Sequence, residues 1–84
     1  MRPADPYILR FMDTSGAELK PASIALNVPY SANWVGQRCR QLSQYDLLVR
    51  DQEHSSYTIT DLGRRVAREE LTQDEIDELD ELGD

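Results

Sequence analysis

The spacing of apolar residues changes from helical to alternating near residue 46, and this change restricts the chain to a mixed α and β fold. Before that point, apolar residues recur three, four or seven positions apart, which is typical of helices with one buried face. After it, the segment "YTIT" at residues 57–60 alternates as a half-buried strand does. The three helical stripes are Ile8, Phe11 and Met12, then Ile24, Ala25 and Val28, and finally Val35, Cys39 and Leu42.

Residues that start and stop helices divide this first part of the chain. An oxygen-bearing side chain favours the position before a helix, proline favours its first turn, and glycine or proline favours its end. A short extended link is predicted at residues 17–19, between the first two helices. The predicted boundaries are Asp5 with Pro6 and then Gly16 for the first helix, Pro21 and Pro29 for the second, and Ser31 and about Gln44 for the third.

A β-hairpin and a fourth helix are predicted after the third helix. Residues 47–49 lead into the first strand, residues 53–55 form the tip, and Thr60 caps the fourth helix. The order helix, helix, helix, strand, strand, helix is that of a winged helix-turn-helix. We therefore predict an α+β fold with a three-helix bundle, a two-stranded β wing, a fourth helix and an acidic C-terminal segment.

Charge separates a folded body from an acidic end. The 84 residues suffice for one domain, and their formal net charge is −7. Residues 1–68 hold nine basic and seven acidic side chains, whereas residues 69–84 hold nine acidic side chains and no basic one. We predict a winged-helix DNA-binding domain over 1–70 and an acidic helix or tail over 71–84. That end is either solvating charge or a surface for dimerisation through Leu71, Ile76 and Leu79.

Composition also limits the class of protein and its location. The single cysteine, Cys39, excludes an internal disulfide and occupies a core position, so neither a reactive thiolate nor a metal site is expected there. The apolar runs are too short for a membrane span or a signal peptide, which predicts a cytoplasmic protein without membrane contact. Eight arginines against one lysine in an acidic total are associated with halophilic proteins.

The third helix carries a polar face that contains amides and arginine but no carboxylate. At about 100° per residue, the side opposite the buried stripe is predicted to hold Asn33, Gln37, Arg40, Gln41 and Gln44. Asn and Gln match the hydrogen-bonding edge of adenine, and Arg matches that of guanine. This face therefore predicts base contacts in the major groove of double-stranded DNA. The alternative is that the glutamines only cover a solvated helix, because they are good helix formers.

Two motifs resemble known winged-helix families. The segment "CRQLSQYDLLVR" resembles the "LxxLxxxGLVxR" pattern of the MarR and ArsR regulators, and "YTITDLG" is similar to their "YxLTxxG". Asp46 stands where that pattern has glycine. The opening "MRPAD…ILRFM" and the acidic end resemble the small haloarchaeal winged-helix proteins of the phage phi H repressor family. This resemblance implies DNA contacts from Ser31, Asn33, Gln37, Arg38 and Arg40 on the third helix, and from Gln52, His54 and Ser55 on the wing. The polar face of the third helix adds Gln41 to these candidate DNA contacts.

The sequence contains few residues that could support metal binding or catalysis. His54 is the only histidine, so one chain cannot assemble a histidine-based metal cluster or a histidine-centred triad. We predict no enzymatic activity, no metal and no cofactor. Arg64, Arg65 and Arg68 are interpreted as helix-end charges rather than phosphate contacts. Trp34 is expected to pack against a neighbouring helix.

Two functions from different classes remain open at this level. The first is a sequence-specific transcriptional regulator, in particular a repressor, that binds double-stranded DNA as a homodimer. The second is a winged-helix protein-interaction module without DNA binding. An exposed apolar patch would favour the second function, and Leu26 is its best candidate because it falls outside the stripe of its helix.

Overall fold

The computed structural model describes residues 2–70 together with Asp74 and Asp77. Its order of elements confirms the predicted α+β winged-helix architecture. The predicted acidic helix or tail over 71–84 lies, apart from Asp74 and Asp77, outside the described residues, and so do Leu71, Ile76 and Leu79. The elements are α1 (Ala4–Ser15), α2 (Pro21–Ala25), α3 (Ala32–Gln44), β1 (Leu48–Asp51), β2 (Ser56–Ile59) and α4 (Asp61–Ala67).

The start of α1 differs from the prediction. The helix begins at Ala4, its N-cap is Pro3, and no side chain caps it. Asp5 is instead fully buried, and its carboxylate accepts hydrogen bonds from the guanidinium of Arg38 on α3. The predicted end of α1 is confirmed, since Gly16 adopts a left-handed φ of 65°, a conformation that glycine takes at little cost.

The core lies between the three helices and the hairpin. The stripe predicted for α3 is fully buried, whereas Phe11, Ala25 and Val28 are only partly buried. Leu9, which no stripe included, is fully buried because α1 packs against both α3 and α4. Burial also raises the pKa of the Cys39 thiol to about 12, so the thiol stays neutral as expected for a core residue. The largest buried side chains are Ile8, Leu9, Met12, Ile24, Leu42, Leu47 and Leu48.

The predicted hairpin forms the wing and is joined by a short third segment. Antiparallel pairing places Leu48 opposite Ile59 and Arg50 opposite Tyr57. Leu19, in the predicted extended link, exchanges both backbone hydrogen bonds with Tyr57, at N···O distances of 2.9 and 2.8 Å. The link between α1 and α2 is therefore held against the wing, and this fixes the position of the residue that follows, Lys20.

The junction between the wing and α4 explains two motif positions. Asp46 has a φ of 63°, which lies in the left-handed region where glycine is favoured. This explains why the "LxxLxxxGLVxR" pattern has glycine at this position. The Thr60 hydroxyl accepts the N–H of Gly63 at 2.9 Å and lies 2.7 Å from the carbonyl oxygen of Asp46. A Cβ atom on Gly63 would lie 2.2 Å from the Leu47 carbonyl oxygen. The motif "YTITDLG" thus combines a helix cap with a close backbone approach.

Candidate nucleic-acid interface

The polar face of α3 points away from the domain, as predicted. Ser31 caps the helix by accepting the N–H of Trp34 at 3.2 Å, and this sets where the polar face begins. A shallow depression of about 440 Å³ runs along the face, and among the described residues no carboxylate lines it. Its lining residues are Arg2, Trp34, Gln37, Arg38, Arg40, Gln41 and Gln44. Asn33, Gln37, Arg40 and Gln44 are exposed, and Gln41 is partly exposed.

Arg38 does not belong to this outward face. Its Nε and Nη2 atoms each lie 2.9 Å from an oxygen of the fully buried Asp5, and the Arg38 side chain is only 8% exposed. The guanidinium also lies over the ring of Trp34, 5.8 Å from its centroid, and Trp34 packs against the core as predicted. The Arg38 guanidinium is therefore engaged by the domain itself, although Arg38 also lines the depression along α3, and its expected DNA contact stays a prediction. The pair instead holds α3 to the start of α1.

A second groove, of about 270 Å³, joins α3 to the wing. We call it the helix–wing groove. Arg50 and Tyr57 are paired across the two strands, so their side chains project from the same face of the hairpin. Burial raises the pKa of the Tyr57 phenol, while the positive charges of Arg50 and Arg40 oppose that shift, so both guanidiniums lie near the same ring. The groove is lined by Pro21, Gly36, Arg40, Arg50, Ser55 and Tyr57.

The wing tip exposes Gln52, His54 and Ser55. The Asp51 carboxylate shapes the tip: Oδ1 accepts the N–H of Glu53 at 2.9 Å, and Oδ2 lies 2.8 Å from Nδ1 of His54. This hydrogen bond and the negative charge of Asp51 raise the pKa of His54, and the same bond lowers the pKa of Asp51. The tip therefore favours the positively charged form of its histidine.

Basic side chains fall into two groups according to whether the domain supplies a partner. In the first group, Arg38 binds Asp5, and Arg64 and Arg68 both bind Asp13 at 2.9 Å. Arg10, whose Nη2 lies 3.7 Å from Oε1 of Glu69, and Arg65, which donates to the Glu70 carbonyl oxygen at 3.3 Å, also belong to it. Hydrogen bonds from Arg68 and Arg64 lower the pKa of the Asp13 carboxyl.

The second group consists of Lys20, Arg40 and Arg50, and we call it the free basic group. All three are exposed, and within residues 2–70 no hydrogen bond or ion pair engages their side chains. Arg40 and Arg50 line the helix–wing groove, and the charge of Lys20 acts on His54 at the wing tip. The positive charge without an acidic partner is therefore concentrated where α3 meets the wing.

Among the described residues, one cluster of possible metal ligands occurs at the wing tip. Single ligand atoms of Asp51, Glu53 and His54 lie within 4.8 Å of one another. The sequence predicts no metal cluster based on histidines within one chain, and this group contains a single histidine with two carboxylates. The hydrogen bonds from Glu53 and His54 to Asp51 already account for the proximity of these residues as a tight turn.

Sequence reasoning did not select Lys20 and Arg50 as candidate contacts. A signal for Arg50 was present, because it is the final arginine of the "LLVR" segment that carried the family resemblance. Lys20 occupies the N-cap of α2 with an extended backbone and makes no capping hydrogen bond. Neither residue could be separated from the paired arginines until the positions of Asp5 and Asp13 were known.

The fold and this interface define a winged helix-turn-helix domain of the nucleic-acid-binding type. Residues 1–79 match the family of winged helix-turn-helix phage repressors. The chain is also 38% identical, over 80 residues, to the repressor protein of Halobacterium phage phiH. The aligned region covers 92% of this chain and 90% of that relative. The chain therefore belongs to the winged helix-turn-helix phage repressor family, which confirms the resemblance drawn from the sequence. None of the helices in the described residues is long and apolar enough to cross a membrane.

Proposed function

We propose that this chain is a sequence-specific DNA-binding transcriptional repressor. It reads the major groove with α3 and contacts the backbone or the minor groove with the wing. The observation that carries the proposal is the uncovered amide and arginine face of α3 beside the free basic group, in a member of a phage repressor family.

Base reading is assigned to the outward side chains of α3. Asn33, Gln37 and Gln41 offer a paired donor and acceptor for adenine, and Arg40 offers two donors for the N7 and O6 atoms of guanine. Ser31 stands at the helix start, where a hydroxyl in contact with a phosphate would add to its capping role.

Backbone contacts are assigned to the wing and to the free basic group. Gln52, His54 and Ser55 are the exposed polar residues of the tip. Arg50 and Lys20 supply positive charges that no carboxylate of the described residues neutralises by a hydrogen bond or ion pair. Phosphate contacts of this kind fix the position of the protein on the duplex, and base contacts then select the sequence.

Selection from random DNA tests this proposal. The wild-type chain should enrich one sequence from a pool of random duplexes, and Gln37→Ala and Arg40→Ala should each weaken binding to that sequence by about 1–3 kcal/mol. Asn27→Ala, a change of an exposed amide in the turn that follows α2, serves as the control and should leave affinity unchanged. Unchanged affinity in both α3 variants would contradict the proposal.

We further propose that the repressor binds as a homodimer. A two-fold dimer would place two copies of α3 about 34–36 Å apart, one turn of DNA, and would select a palindromic sequence. Sedimentation with and without the selected duplex tests this, together with a chain that ends at Glu70. A monomer on a site without symmetry would contradict the dimer.

The same proposal implies a cytoplasmic regulator without enzymatic activity or cofactor. Membership of a repressor family supports a regulatory rather than a catalytic role. The relative from a Halobacterium phage and the excess of arginine over lysine support adaptation to high salt. High salt weakens phosphate contacts, so base contacts would carry more of the discrimination there. Measuring affinity and unfolding in molar potassium chloride tests this part.

The protein-interaction alternative gains little from the structure. Leu26 is indeed 86% exposed, as that alternative expected. The other large apolar side chains that are exposed among the described residues are Tyr7 on α1 and Val49 on β1, which belong to different elements. Single exposed apolar residues are ordinary on protein surfaces, so Leu26 does not by itself support a second function.

A further inference from the structure

Gly36 is a residue that the fold itself does not require. It lies in the middle of α3, where glycine is less favourable than alanine because the glycine backbone loses more conformational entropy on folding. A Cβ atom built there would lie 3.7 Å from Cβ of Pro21 and 3.9 Å from its Cγ. Those are ordinary contact distances, so alanine would fit within the domain. The lower helix propensity of Gly36 therefore needs an explanation outside the packing of this chain.

The surroundings of Gly36 provide one. Gly36 lines the helix–wing groove together with Arg40 and Arg50, and none of the carboxylates in residues 2–70 lines that groove. Both guanidiniums lack a hydrogen-bonding or ion-pairing partner within residues 2–70, whereas Arg38, Arg64 and Arg68 each bind a carboxylate. Guanidinium groups bind phosphate through two parallel hydrogen bonds, and the hydroxyl of Ser55 adds a further donor at the rim.

The groove also shares a lining residue with the base-reading face. Arg40 lines both the helix–wing groove and the depression along α3. A strand whose bases meet Gln37 and Arg40 would therefore bring its backbone to the groove. A free small anion would not explain why the two depressions share a residue.

We propose that the helix–wing groove seats a backbone phosphate of double-stranded DNA, and that Gly36 leaves the space in which the sugar–phosphate chain approaches α3. The inference rests on the proposed function and adds the place where the backbone crosses the domain. Arg50 is the principal phosphate ligand, and Arg40 is shared between the groove and the base edges.

Two variants test the seat, and both are measured on a random-sequence duplex and on the duplex selected by the wild type. Gly36→Ala should raise the midpoint of thermal unfolding by about 4–8 °C and yet weaken binding to both duplexes. Gly36→Leu, with a larger side chain, should weaken binding further. A gain in stability together with a loss of affinity is the signature of space reserved for a ligand.

Arg50→Gln should reduce the slope of log affinity against log salt concentration by about 1, which corresponds to one lost phosphate contact. Arg10→Gln is the matched control. Arg10 is also an exposed arginine, but its Nη2 lies 3.7 Å from Oε1 of Glu69, and it does not line the groove. Its variant should keep the wild-type slope.

Failure of the inference and failure of the proposed function give different results. If the wild type binds no duplex even at low salt, the proposed function is wrong and the seat falls with it. If the wild type selects a sequence, but Gly36→Ala binds as tightly and Arg50→Gln keeps the full salt slope, the seat is wrong and the repressor function stands. Inorganic phosphate that stabilises the wild type but not Arg50→Gln, without any effect of Gly36→Ala on DNA affinity, would also overturn the seat.

Discussion

Arg38 and Arg40 lie two positions apart on the same helix and have opposite surroundings. Arg38 is buried and held by both oxygens of Asp5, whereas Arg40 is exposed and has no partner within residues 2–70. The amino acid is the same, and the difference lies in which face of α3 meets α1. The comparison teaches that the positions of the carboxylates decide which arginines maintain the fold and which are available to bind.

The same division extends over the domain. On the side where α1 meets α4, Asp13 engages Arg64 and Arg68. On the side where α3 meets the wing, no carboxylate of residues 2–70 is bound to the free basic group. The net charge of −7 hides this arrangement, because most of the acidity belongs to residues 69–84. A basic interface can therefore exist on an acidic protein.

The largest effect is expected from breaking the buried pair. Asp5→Ala leaves the Arg38 guanidinium buried without its carboxylate, and we expect a loss of about 3–5 kcal/mol in the free energy of unfolding, measured in urea. The double variant Asp5→Leu with Arg38→Met removes both charges and should recover much of that loss. A single variant that costs less than about 1 kcal/mol would show that Arg38 is not dependent on Asp5.

The next effect concerns the other arginine of the comparison. Arg40→Ala should leave the free energy of unfolding unchanged, because the side chain is exposed, and should weaken binding to the selected duplex by about 1–3 kcal/mol. Fluorescence anisotropy with the selected and the scrambled duplex measures the preference. An equal loss on both duplexes would make Arg40 a phosphate contact only and would remove it from base reading.

Asp13 provides a test with a pH dependence. Hydrogen bonds from Arg68 and Arg64 lower its pKa below the ordinary value of 3.8, so the stability it contributes is present above that value and is lost as pH falls through the lowered pKa. Asp13→Asn should unfold at a lower temperature than the wild type at pH 7, and the difference should vanish in acid. Its affinity for DNA should be unchanged, since the arginines it releases lie away from the interface. Tighter binding by Asp13→Asn would break the division into two groups.

The smallest effect is expected at the wing tip. Asp51 raises the pKa of His54 above its ordinary value of 6.5, so the contribution of their ion pair to stability is present below pH 6.5 and is lost as pH rises through the raised pKa. Protonated His54 also adds positive charge to the wing. Affinity for DNA should therefore be modestly higher at pH 6 than at pH 8, and His54→Gln should remove this dependence. An unchanged pH dependence in that variant would exclude His54 as its source.

The periodic parts of the molecule could be predicted from the sequence, because a buried face imposes a spacing. The α3 stripe of Val35, Cys39 and Leu42 and the alternation of the hairpin are such cases, and the structure confirms both. The outward exposure of Asn33 and Gln37 follows from the same geometry.

Partners distant in sequence could not be predicted in this way. Asp5 at a helix start has the features of a cap, and only the packing of α1 on α3 reveals that it binds a residue 33 positions away. That contact also engages the Arg38 guanidinium within the domain, although Arg38 lines the depression along α3. Arg50 and Lys20 became candidates for the opposite reason, because within residues 2–70 no carboxylate forms an ion pair with either side chain.

The central claim, that DNA lies against the side where α3 meets the wing, is tested most directly by two charge-matched double variants. Arg40→Gln with Arg50→Gln, and Arg64→Gln with Arg68→Gln, each remove two positive charges, and their affinities for the selected duplex are compared under conditions in which both remain folded. We predict that the first pair loses about 10–1000-fold in affinity, whereas the second pair stays close to the wild type. Equal losses in the two variants, or a larger loss in the second, would contradict the claim.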